Sequence, residues 1–234
     1  MSPPDYESRV AIIIPVYNGE KYLKVAIESA QSQTWKNKEI IVVDDGSADR
    51  TSKIMMESDG IDQVYKINGG TASALNRGIA NSQAKWIKWL SADDLLYSDA
   101  IQNMMREATS RDVIYYTHYD IIDESGNVTG EFVEHDRPES ELWGYYYGNG
   151  SSWLLHRDLY EKVGPFDESF KHSEDYEYLL RATQMYGCKL QLINMKSIKY
   201  RRHPEQLTKK VGGQLDDFIK NKIRRMINDK PVVG

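Results

Sequence analysis

Of the 234 residues of this chain, one is a cysteine, Cys188. One cysteine closes no internal disulfide, which fits a reducing compartment, and the thiol reads as a small buried apolar group. Long apolar runs are missing too. The longest clean one, Val10 to Ile14, is strand-sized, against the ~20 residues that a membrane-spanning helix needs. Met1 to Arg9 is polar and holds Pro3, Pro4 and Asp5, so no secretion signal is expected. The Asn-x-Ser/Thr triplets at Asn127 and Asn149 are therefore read as chance. An excess of positive charge is absent: the formal net charge is -5, which argues against a nucleic-acid partner. Internal repeats and low-complexity tracts are absent as well. Neither G-x-x-x-x-G-K-S/T nor G-x-G-x-x-G follows the first apolar run, so neither a P-loop hydrolase nor a dinucleotide dehydrogenase is supported. A nucleotidyltransferase would need a basic glycine-rich loop there, and "PVYNGEKY" does not supply one.

What is present is alternation. "VAIII" (10–14), "EIIVV" (39–43) and "KWIKWL" (85–90) read as buried strands, and "QVYKI" (63–67) as a further strand between the second and the last of them. Between them lie helical patterns over 20–33, 49–58 and 71–82. Short connections between alternating elements predict parallel strands with right-handed crossovers, and hence a doubly wound α/β half over about 9–96. The second half, about 97–205, is less regular. "VIYYTHYDII" (113–122) and "VTGEFV" (128–133) predict an antiparallel pair around a turn-rich loop. A strand over 151–156, a short helix "RDLYEKV", a helix over 174–187 capped by Gly187, and strands near 189–193 and 196–202 follow. The tail, 214–228, is an amphipathic helix with Leu215, Phe218, Ile219, Ile223, Met226 and Ile227 on its apolar side. All of this suits one domain over 1–234.

Ligands of open α/β sheets bind at the carboxyl ends of the strands. Four polar clusters fall there: Pro15 to Asn18, Asp44 to Ser47, Asn68 to Gly70 and Ser91 to Asp94. Asp93 and Asp94 suit a hard divalent cation with oxygen ligands, Mn²⁺ or Mg²⁺. Tyr17 offers a flat face to a base, and Asp45 an acceptor to a base or ribose. Gly69 and Gly70 permit close backbone approach to a phosphate. The set describes a nucleoside-diphosphate site.

The stretch "VAIIIPVYNGEKYLKVAIESAQSQTWKNKEIIVVDDGSADRT", with "GGTASALNRGIANSQAKWIKWLSADDLL" and "VGPFDESFKHSEDYEYLLRA", resembles the family 2 inverting glycosyltransferases of the GT-A fold, over roughly residues 9–205. The resemblance implies an α/β fold with a Rossmann-like, mostly parallel sheet and a smaller antiparallel acceptor-side portion. It implies transfer of a sugar from a nucleotide-diphosphate donor, UDP foremost, to an acceptor hydroxyl, in cell-surface polysaccharide or glycoconjugate synthesis. Tyr17 would border the uracil, Asp45 would bond it, and Asp44 would support the loop from behind. Glu20 would reach the ribose, and Pro15, Gly70, Asn76 and Ala92 would line the nucleotide. Asp93 corresponds to the metal-binding carboxylate. Ser91 is a departure, since the family pattern has an aspartate there. Asp94 is expected at the start of the next helix. Asp175 would be the base and Glu174 its neighbour. His203 would close over the diphosphate or join the metal.

From residue type alone, Arg201 and Arg202 are candidates to offset phosphate charge. Trp143, "GYYYGNG" (144–150) and His172 are candidates for the acceptor wall. The acceptor is expected to be a carbohydrate, free or lipid-linked. Lys209, Lys210, Lys220, Lys222, Arg224 and Arg225 leave two fates open for the tail: peripheral contact with an anionic membrane, or packing on its own domain or a second copy. The expected place is the cytoplasm, with the inner membrane face the alternative. The other function class weighed is a non-catalytic nucleotide-sugar binding domain, which Ser91 favours.

Overall fold

The computed structural model describes residues 8–136, 138–143, 149–170, 172–206 and 214–228, the last from its backbone alone over 214–217. Four strands open the chain: β1 (Val10–Val16), β2 (Lys38–Asp44), β3 (Asp62–Tyr65) and β4 (Trp86–Trp89). β2 pairs with β1 and β3, and β1 with β4, all in parallel. Side chains of β1 alternate between two cores. Ala11 and Ile13 point to one face, and Val10, Ile12, Ile14 and Val16 to the other. Burial on both faces is why the strand reads as an unbroken apolar run.

Helices α1 (Leu23–Gln31) and α2 (Thr51–Met56) cover one face, and α3 (Thr71–Ala80) covers the other. The order β3-β2-β1-β4 reverses between β1 and β4. A right-handed crossover that returns across the sheet must use the opposite face, which is where α3 lies. Gly78 lets it sit close, because a Cβ there would stand 2.4 Å from Cγ2 of Ile13.

The rest of the chain extends the same sheet. It adds β5 (Leu95–Leu96), β6 (Val113–Ile122), β7 (Val128–Phe132), β8 (Leu154–His156) and β9 (Lys189–Arg201). The full order is β3-β2-β1-β4-β8-β6-β9-β5, with β7 on β6. β6 and β7 are antiparallel, as the sequence predicts. β6 and β9 are parallel, however, so the second half, expected to be antiparallel, is mixed. The two strands expected near 189–193 and 196–202 are one bent strand, with register shifts opposite Thr117 to Tyr119.

Helix α4 (Ala100–Glu107), which the sequence patterns above do not predict, packs beside β9 and buries Ile101, Met104 and Met105 in the core that α1 and α2 cover. Helices α5 (Arg157–Val163), α6 (Glu174–Leu180) and α7 (Gln214–Asn228) join α3 on the opposite face. α6 continues as a π-helical turn over Arg181–Met185, and Gly187 ends it with φ 65°. In α7, Ile219 and Ile223 are fully buried, worth about 1.5–3 kcal/mol each. Phe218, expected on the apolar side, is mostly exposed and touches Phe170.

Candidate active site

The crevice where the strand order reverses, at the carboxyl ends of β1 and β4, is where such sheets take ligands. Pro15 helps to open it. The Ile13 carbonyl, on the β4 side, accepts from the Leu90 N–H at 3.0 Å, whereas that of Val16 faces β2 and accepts from Asp45. Pro15 shares the parity of Ile13 and lies beyond the last pair, Ile13 with Trp89, so its missing N–H costs no ladder bond. Tyr17 then stands free, 55% exposed. Asn18 follows with φ 51°, in the left-handed region that asparagine tolerates.

The loop after β1 is stitched to the loop after β2. Asn18 N–H donates to Ser47 Oγ, Gly19 N–H to Thr51 Oγ1 and Glu20 N–H to Asp49 Oδ2, all within 2.8–2.9 Å. Ala48 N–H donates back to Asn18 Oδ1 at 2.8 Å. The Glu20 carboxylate accepts from the Arg50 backbone and guanidinium, which hold it below its usual range. Asp44 is buried and accepts from Ser47 N–H and Ser52 Oγ, so it does support the loop from behind.

Asp45 is buried with both oxygens engaged. Oδ1 accepts from Lys66 Nζ at 2.5 Å and Gly69 N–H at 2.9 Å, and Oδ2 from Gly70 N–H at 2.7 Å. The carboxylate thereby caps the start of α3, where Gly70 has φ 91° and carries no Cβ to strain. Asn76 lies further along α3. Its side chain is bonded to the segment 160–168 rather than turned to the rim.

The turn after β4 brings the expected metal residues together. His203 Nε2 lies 3.0 Å from Asp93 Oδ2. Two adjacent ligands of a six-coordinate ion at about 2.1 Å stand about 3 Å apart, so the pair fits a shared divalent cation. No group of three or more His, Cys, Asp or Glu that could hold a metal occurs among the described residues. Such an ion would complete its shell from water and diphosphate, as Mg²⁺ commonly does.

Two expectations are corrected here. Asp94 is not at a helix start. It lies in the turn before β5, fully buried, and its Oδ1 accepts the Arg201 N–H at 2.9 Å. Burial and the charge of Asp93 raise its pKa well above the usual carboxylate range. Arg201 does not face a phosphate either. It is buried, donates to the carbonyls of Asp93, Asp123 and Glu124, and stacks on Tyr22 at 4.6 Å. Arg202 is exposed.

Ser91 has a partner that its position in the sequence does not reveal. Its N–H and hydroxyl both meet Ser151 Oγ, at 2.9 and 2.7 Å. Beneath them Lys88 is fully buried and donates to the carbonyls of Ser151 and Trp89, and burial pushes its pKa down to about 7. The loop 149–152 is thus fastened under the turn that follows β4. Ala92 is half-buried beside this cluster.

Glu174 and Asp175 open α6. Ser173 before them has φ 58°, and with Asn18 it is one of two non-glycine residues of positive φ among those described. Such strain costs roughly 1–3 kcal/mol and gathers at functional sites. Burial and the neighbouring Asp175 push Glu174 up to about 8, whereas Asp175 is half-buried and accepts from Tyr176 N–H at 2.9 Å. His172 is half-buried two residues ahead of Glu174. Trp143 Nε1 donates to Gln184 at 3.2 Å, and the Arg224 guanidinium lies over its ring at 4.9 Å, so that face meets α7. Tyr145, Tyr146, Tyr147, Lys209 and Lys210 lie outside the described residues.

A mostly parallel sheet between helical layers, with polar strand ends around one crevice and a paired carboxylate across the chain, defines a GT-A glycosyltransferase domain. The comparisons agree. The family model described as Glycosyl transferase family 2 matches residues 11–164, and the chain belongs to that family. An uncharacterized glycosyltransferase of Rickettsia typhi is 39% identical, over 93% of this chain and 71% of its own length. A second, from Rickettsia bellii, is 36% identical; the match covers 89% of this chain but 32% of that protein. Among solved structures, S. aureus TarS 1-349 in complex with UDP-GlcNAc matches with a TM-score of 0.73 at 17% identity, over 94% of this chain and 65% of that one. That likeness carries the fold. No described helix is long and apolar enough to cross a membrane.

Proposed function

We propose that this chain is a metal-dependent inverting glycosyltransferase that takes a sugar from a UDP-linked donor and passes it to a carbohydrate hydroxyl. The observation that carries this reading is the 3.0 Å approach of Asp93 to His203 beside the β1/β4 crevice. Those two residues would hold a divalent cation, which supplies positive charge to the departing diphosphate. Tyr17 presents an exposed ring to the base. Asp175 takes the proton from the acceptor hydroxyl as the hydroxyl attacks the anomeric carbon from the side opposite the diphosphate. Glu174, kept protonated by burial, leaves Asp175 as the negative group of the pair. That TarS was solved with UDP and with UDP-GlcNAc supports a UDP-linked donor.

The family supports a role in polysaccharide or glycoconjugate synthesis at the cytoplasmic side of the membrane. α7 buries Ile219 and Ile223 in its own domain, pairs Lys222 with Asp167 and lays Arg224 over Trp143, which supports packing on its own domain over contact with an anionic membrane.

The test is thermal melting with UDP, GDP, dTDP or CDP, each with Mn²⁺, Mg²⁺ or a chelator. UDP with Mn²⁺ at a hundredfold excess over Kd should add about 2.7 kcal/mol. For a domain of this size that is on the order of 5–10 °C. Asp93→Ala should remove the metal-dependent part. An unchanged shift in that variant would remove Asp93 from the metal site. A shift without turnover of any UDP-sugar would instead favour a binding domain.

A further inference from the structure

Asn76 is half-buried in the middle of α3, and its amide is saturated across the molecule. Nδ2 donates to the Phe166 carbonyl at 2.9 Å and to Glu168 Oε1 at 3.0 Å. Oδ1 accepts from Phe166 N–H at 2.9 Å and from Tyr160 Oη at 3.0 Å. A primary amide has two donor hydrogens and two acceptor lone pairs, so nothing remains to offer a nucleotide. The bonds to Phe166 resemble a strand ladder: one side chain holds both the N–H and the carbonyl of one backbone residue, ninety positions away.

The segment held in this way leads into the proposed base. Val163 and Pro165 carbonyls accept from Arg181, each at 2.7 Å. Asp167 pairs with Lys222 of α7, and Phe170 packs on Phe218 of the same helix. Ser173, Glu174 and Asp175 follow. Arg181 and Lys222 belong to the acceptor-side layer itself, whereas Asn76 belongs to α3. The start of α3 is fixed on Asp45 at the nucleotide rim by the Gly69 and Gly70 N–H groups. One rigid helix therefore measures the distance from the donor rim to the chain that carries Asp175.

We infer that Asn76 is a positioning residue: it sets where Asp175 stands relative to the donor, and it does not bind the nucleotide. The inference rests on the reading of Asp175 as the base. Displacing a reacting group by about 1 Å can cost about a hundredfold in rate.

The experiment compares wild type, Asn76→Ala, Tyr160→Phe and Glu168→Ala. UDP with Mn²⁺ is titrated by calorimetry, UDP release from a panel of UDP-sugars is followed with water as acceptor, and amide exchange is mapped over 160–180. Asn76→Ala should bind UDP within threefold of wild type, keep the donor KM, and lose kcat by tenfold or more. Exchange in 163–175 should quicken while that of β1 and β2 stays unchanged. Tyr160→Phe and Glu168→Ala each remove one of the four bonds and should lie between, so the series holds even if Asn76→Ala folds poorly. A tenfold loss of UDP affinity at constant kcat in Asn76→Ala would return Asn76 to the nucleotide and overturn the inference. So would unchanged exchange in 163–175. A wild type that neither binds UDP nor releases it sinks the transferase reading, and the exchange arm still decides whether Asn76 holds the segment.

Discussion

The half proposed to hold the donor and the half proposed to hold the acceptor, here the donor half and the acceptor half, are held together by different means. After β1 and β2 the rim is knit from backbone N–H groups to nearby hydroxyls and carboxylates, between loops whose strands are paired neighbours. The acceptor half has long connections, and single side chains fasten them. Arg181 binds Glu177 and two carbonyls, Asn76 binds Phe166, and Arg201 binds three carbonyls. A stitched rim distributes its stability over many small bonds, so one substitution loosens little. A clamped segment concentrates it, so one substitution releases a whole stretch. The groups proposed for chemistry sit at the seam between the two.

The largest effect should come from the seam. Asp175→Asn keeps the shape and removes the basic oxygen. Transfer should fall by about a hundred- to ten-thousandfold, the usual span for a general base, and UDP should bind as before. Retained transfer in a coupled assay of UDP release would take the role of base away from Asp175. Glu174→Gln should cost far less, because the buried group is neutral in either form at neutral pH.

Next in size is the clamp itself. Arg181 and Glu177 form a buried pair at 2.7 Å, with side chains 9% and 1% exposed. Arg181→Met leaves a buried carboxylate and two carbonyls without donors, and should cost about 3–5 kcal/mol in urea unfolding. The double variant Arg181→Met, Glu177→Gln should cost less, because no bare charge remains. Equal losses would mean that the carbonyl contacts, not the charge, carry the clamp. The matching change in the stitched half, Ser47→Ala, removes one acceptor from an exposed N–H and should fall near the ~1 kcal/mol of an ordinary hydrogen bond.

The same contrast explains what the sequence reveals. The four parallel strands, their helices and the polar clusters at their ends are local patterns with periods of 2 and 3.6, and the structure has them nearly where they read. Gly187 as a cap is local too. What stayed hidden is long-range. Asp93 meets His203 across 110 positions, and Asp94 meets Arg201 across 107. Asp94 reads as a helix start because the macrodipole favours a carboxylate there. Only the folded chain shows that it is buried under Arg201 instead. Ser151 carries no signal beyond a chance triplet, yet its hydroxyl meets both the N–H and the hydroxyl of Ser91. Short apolar pieces such as β5, two residues long, fall below any periodicity.

The last predicted effect is a slope rather than a loss, and it tests whether the seam is as dry as its geometry implies. Glu174 carries its proton in the folded state up to about pH 8, against an ordinary value of 4.5. In the unfolded chain that proton leaves near pH 4.5. The folded state therefore holds more protons across the interval between, and stability must fall as pH rises through it. The contribution is whole below about pH 4.5 and gone above about pH 8. Glu174→Gln has nothing to titrate there. Its melting temperature should match wild type near pH 5, exceed it near pH 8.5, and diverge steadily in the interval. Two parallel curves would mean that Glu174 is ionised in the fold. Asp175 would then share its corner with a second charge, and the division of labour between the two carboxylates would have to be drawn the other way.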